Sequence, residues 1–243
     1  MKKIKFHTNL LPATIVQFLI KTLSLFTRVS EKTAHSHLLE NEERWREYKE
    51  KTGFGFIERQ HDFENLKYGS QRNMLSKMLM GGRPLVAARN SCEVISVYNA
   101  LKDLGDLTEE NDFPKLLYYF EKNAIVLKGY FGTSFSGIKK YFKTNGYEIK
   151  SFTGRKINKE NIDFLEKEYN AYVFMTYNNR YDISDMIHTM SISHEKKGFV
   201  IHNSYSRLQY YDSLYDAVIH YNESDGFISR PIVVLGIRKH ESI

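Results

Sequence analysis

Apolar residues recur at intervals of three and four between residues 92 and 104, at Val94, Ile95, Val97, Tyr98, Ala100, Leu101 and Leu104. That spacing predicts a helix buried over one broad face and stopped at Gly105. Asn90 or Ser91 stands where an N-cap belongs, with Glu93 in the first turn. Further helices are predicted over residues 112–123, over 135–144 between Gly132-Thr133-Ser134 and Asn145-Gly146, and over 161–169. Beyond residue 170 the pattern changes to short β-prone runs at 172–175, 186–193, 198–203 and 231–238. Asn178-Asn179-Arg180 and Glu195-Lys196-Lys197-Gly198 are natural turns between them. Helices first and an antiparallel sheet afterwards describe an α+β domain. Residues 1–80 read as a helical extension with little obvious chemistry. Gly81-Gly82-Arg83-Pro84 then breaks the chain before a domain spanning 81–243.

Composition narrows the picture. Hydrophobic residues are 42% and charged residues 26%, the ordinary balance of a globular chain. The net charge is +6, but the lysines are dispersed, so no nucleic-acid partner is expected. Near the N-terminus, Lys2, Lys3 and Lys5 precede an apolar stretch interrupted by Pro12, Gln17 and Lys21. It is a poor signal sequence and a poor membrane span. Residues 10–27 are read as a docking helix, or as a helix that seats the protein on a membrane surface or a transporter. A cytoplasmic protein, peripheral to the membrane, fits that reading.

The chain has one cysteine, which excludes an internal disulfide and any zinc site with two thiolates. Cys92 opens the predicted helix, where unpaired N–H groups and the helix dipole favour a thiolate and can stabilise an oxyanion. A buried cysteine that merely packs fits the same segment, which leaves both readings open. A nucleophile also needs a base. Of nine histidines, His188 and His202 lie in β-like runs of the domain. Alternation puts His188, Met190 and Ile192 on one face of a strand, with Ile187, Thr189 and Ser191 on the other. A hairpin through residues 195–198 in which facing positions sum to about 391 sets Asn203 opposite His188. Its amide there would fix the imidazole tautomer. Asp182, Asp185 and His188 look like a metal cluster, but the strand context keeps them from converging. No Walker spacing is present. No metal and no cofactor are expected.

The order Cys92, His188, Asn203 resembles the papain-like superfamily. More narrowly, it resembles the bacterial peptidase-like branch that includes the bacteriocin-processing peptidases of double-glycine leaders. The likeness covers residues 84–238. It implies a papain-like fold, in which a helical half carrying the nucleophile packs on the antiparallel sheet. It further implies a thiol hydrolase of a peptide or amide bond, with Cys92 as nucleophile, His188 as general base and acid, and Asn203 as the orienting residue. The substrate would be a peptide or peptide-like molecule. An acyltransferase on the same fold, or a degenerate domain that binds a peptide without cleaving it, are the alternatives. Two positions depart from the family pattern. Val86 replaces the usual Gln six residues before the cysteine, and Glu93 replaces the usual Gly after it. Asn90, or else Arg89, is the expected stand-in as oxyanion donor.

Overall fold

Alternating side chains in the second half of the chain build one sheet, and the amphipathic helices cover it on both faces. The computed structural model describes residues 15, 18, 19, 22, 29–52, 55–58, 60, 75–82, 85–177, 187–204, 208–221 and 230–240. The helices are α1 (Glu31–Thr52), α2 (Ala87–Asn90), α3 (Cys92–Asp103), α4 (Phe113–Asn123), α5 (Phe135–Thr144), α6 (Lys159–Glu168) and α7 (Leu214–Ile219). The strands are β1 (Tyr147–Thr153), β2 (Ala171–Tyr177), β3 (Ile187–Glu195), β4 (Gly198–His202), β5 (Tyr210–Tyr211) and β6 (Pro231–Lys239). They pair antiparallel in the order β1-β6-β2-β3-β4-β5. The fold is α+β, with β1 and the short β5 added to the four expected strands.

Strand β2 is buried at every position, which requires cover on both faces. Val173, Met175 and Tyr177 face a core shared with Val94, Ile95, Tyr98, Leu117 and Phe142 from α3, α4 and α5. Tyr172 and Phe174 face a second core with Ile162 and Leu165 from α6 and Leu214 and Val218 from α7. Helix α1 joins the first core through Trp45, whose ring lies 5.3 Å from Phe113 and 5.6 Å from Tyr98. The described part of the N-terminal extension therefore packs into the same core as the nucleophile helix.

Residues 55–58 and 60 run back to α3 and the end of β4. Ile57 is held at both backbone groups by one side chain: its N–H donates to Asn99 Oδ1 (2.9 Å), and Asn99 Nδ2 donates to its carbonyl (3.0 Å). Of the apolar N-terminal stretch, Ile15, Phe18 and Leu19 are exposed; most of residues 10–27 lie outside the described residues. No described helix is long and apolar enough to cross a membrane.

Candidate functional site

Cys92 is the first residue of α3, as the spacing predicts. Ser91 occupies the N-cap position without capping, because its hydroxyl donates to Ala87 O (2.6 Å). The first N–H groups of α3 are thus left without a side-chain cap, at the end where the dipole favours negative charge.

Helix α3 packs on the face of β3 that carries Thr189, since Thr189 Oγ1 donates to Glu93 Oε1 (3.2 Å). His188 and Met190 alternate to the other face, where Met190 joins the second core. Strand β4 pairs with β3 only as far as Ser191 opposite His202. Facing positions sum to 393, not 391, because only Lys196 and Lys197 turn between Glu195 and Gly198. Position 203 has left the ladder and takes a positive φ of 63°, a conformation Asn tolerates better than most residues.

That departure leaves the Thr189 backbone off the ladder with β4: Cys92 and Asn203 both approach it, while the His188 side chain stands on the face of β3 turned away from α3. The Thr189 carbonyl accepts from Asn203 Nδ2 (3.2 Å). The Thr189 N–H, together with that of Glu93, favours an ionised Cys92 sulfur. His188, one residue earlier, hydrogen-bonds through Nε2 to the Asn203 carbonyl (2.5 Å). A carbonyl can only accept, so Nε2 carries the hydrogen, and Nδ1 is the acceptor nitrogen of the neutral ring. Asn203 therefore meets the imidazole through its backbone. Its amide oxygen is taken by the Gln60 N–H (2.9 Å).

Glu93 dominates the electrostatics. It is buried, and its Oε2 accepts from the Cys92 thiol (3.1 Å) and from Thr133 Oγ1 (2.9 Å). Burial raises the Glu93 carboxyl above its ordinary range, against the pull of its three donors. Burial, and then the Glu93 charge and hydrogen bond, push the Cys92 thiol well up. A resting thiolate is not what these neighbours favour.

Comparison with protein-family models, curated proteins and solved structures finds no match. The site must be read from its own geometry.

Asn90 does not fit the oxyanion role expected of it. It is buried, and its amide nitrogen donates to the carbonyls of Met80 (2.8 Å) and Gly129 (3.3 Å), which takes up both hydrogens. It staples two loops, while Arg89 is exposed on α2. His202 is engaged elsewhere. Its Nδ1 meets Glu58 Oε2 (3.0 Å), its Nε2 meets Ser193 Oγ (2.7 Å), and Phe56 stacks on its ring at 4.0 Å. It fastens Phe56 and Glu58 to the sheet. Asp182 and Asp185 lie outside the described residues, and no group of three metal-ligating side chains forms among those described.

Sequence reasoning missed the loop between α4 and α5. Gly132, at φ 66°, presses the loop on the start of α3: a Cβ there would stand 3.4 Å from Asn90 O and 3.7 Å from Glu93 Oε2. Thr133 is delivered to Glu93 as a result, and Tyr130 and Phe131 are left 62% and 46% exposed on the same loop. The paired aromatics after Lys128-Gly129 were the available signal.

Proposed function

We propose that the chain is a papain-like thiol hydrolase acting on a peptide or amide bond. The observation that carries this reading is the chain of contacts through Thr189: its backbone meets Cys92 and accepts from Asn203, whose own carbonyl bonds the His188 ring. In the reaction, Cys92 Sγ attacks the carbonyl carbon while His188 Nδ1 takes the thiol proton, which requires the ring to reach the sulfur past the Thr189 backbone. The oxyanion forms against the first N–H groups of α3. Collapse of the intermediate sends the proton to the leaving amine. Water, activated by the same nitrogen, then cleaves the thioester. The Asn203 carbonyl keeps Nε2 protonated throughout. Tyr130 and Phe131 offer apolar surface to the substrate side chains beside the scissile bond. Acyl transfer differs only in its acceptor, an amine or thiol in place of water.

A second reading, a degenerate domain that binds a peptide without cutting it, draws on the raised thiol. One measurement separates the two. With a single thiol in the chain, iodoacetamide reports Cys92 alone. His188→Ala is expected to slow alkylation at neutral pH by about 100-fold, the lower end of what a positioned base contributes. An unchanged rate would sink the hydrolase and leave the peptide binder.

A further inference from the structure

Glu93 stands where the resemblance expects glycine, and its carboxyl faces the nucleophile. The thiol, the Thr133 hydroxyl and the Thr189 hydroxyl all converge on it, from α3, from the α4–α5 loop and from β3. Among the described residues, His188 is the titratable group nearest in sequence on the packed strand. Lys128, on the same loop, lays its stem over Gly82 instead. The arrangement is built: the positive φ at Gly132 brings Thr133 to the carboxylate, and burial keeps water from screening it.

We propose that Glu93 holds Cys92 as a neutral thiol, so that the sulfur loses its proton during attack and not before it. This rests on the thiol-hydrolase reading. Attack then breaks the S–H bond as the S–C bond forms. The proton passes to His188 Nδ1, a sulfur electron pair goes to the carbonyl carbon, and the carbonyl π pair becomes the oxyanion. Glu93 thus makes the site a general-base nucleophile, closer to a serine hydrolase in its charge state than to a preformed thiolate–imidazolium pair. Its contact with the reacting sulfur makes it a further residue of the reaction.

The test is the pH profile of Cys92 alkylation by iodoacetamide in the wild type, Glu93→Gln and His188→Ala. Glutamine keeps a carbonyl oxygen for one threonine hydroxyl and offers its amide N–H to the oxygen of the other, so a purely structural role would leave the profile in place. The expected result is a midpoint lower by about one unit or more in Glu93→Gln, with alkylation at neutral pH about tenfold faster. An equal or slower rate in Glu93→Gln overturns the proposal. Should that variant fail to fold, thiolate absorbance of Glu93→Asp decides: the shorter side chain draws the carboxyl off the sulfur, so a midpoint below that of the wild type supports the lock, and an unchanged or higher one overturns it. The outcomes separate the two readings. If Glu93→Gln accelerates and His188→Ala changes nothing, the hydrolase fails and the lock stands. The reverse pattern retains the hydrolase and removes the lock.

Discussion

Two carboxyls bracket α3, the buried Glu93 in its first turn and the half-buried Asp103 in its last, and neither has a cationic partner among the described hydrogen bonds of its carboxylate. Asp103 Oδ2 is buried with no hydrogen-bond partner among the described residues, and burial raises its carboxyl to about 7, with the His202 ring acting to lower it. The folded state therefore keeps a proton that the unfolded chain releases near about 3.9. Its contribution to stability is full at acid pH and is lost as pH rises towards neutrality. Asp103→Asn should consequently raise the melting temperature at pH 8 and change it little at pH 4; equal shifts at both would refute the account. That Glu93 stands beside Cys92 was legible from the sequence. What Asn90 does was not. An amide looks the same to a sequence reader whether it faces a cleft or two backbone carbonyls, and only the approach of Met80 and Gly129 decides.

Elements were recovered where one period ran unbroken. Helices α3, α4 and α5 fall within a residue or so of their expected spans, because each has a continuous apolar stripe and a clear stop. Strand β1 escaped notice: Glu148, Lys150 and Ser151 interleave with its apolar residues, and its partner β6 is remote in sequence. The hairpin was placed two positions out of register because turn length cannot be read from composition. Since position 203 leaves the ladder, register does not decide where Asn203 falls; it reaches the His188 ring through its own carbonyl. Close packing of α5 on α4 gives a test at this scale. A Cβ on Gly137 would lie 2.3 Å from the Ala124 Cβ and 3.2 Å from the Phe120 ring. Gly137→Ala should then cost about 1–3 kcal/mol by overpacking, despite the better helix propensity of alanine. Urea denaturation would show it as a lower midpoint with an unchanged slope.

At the scale of the molecule, a boundary at residue 80 separates what the core unites. Trp45, the one tryptophan, sits among Tyr48, Tyr98 and Phe113, from α1, α3 and the start of α4. Its fluorescence should report thermal unfolding at the same midpoint as far-ultraviolet circular dichroism; two separated transitions would mean that the extension folds apart. The extension also reaches the site directly, since Gln60 donates to the Asn203 amide and Asn99 grips the Ile57 backbone. The nucleophile, its histidine and its asparagine are consequently not a portable cassette. A chain shortened to begin at Gly81 would carry all three, yet Asn203 Oδ1 would lose its donor and the Asn99 amide would face water. Such a trimmed protein would be a poor assay reagent, and silence from it would say nothing about the chemistry of the whole.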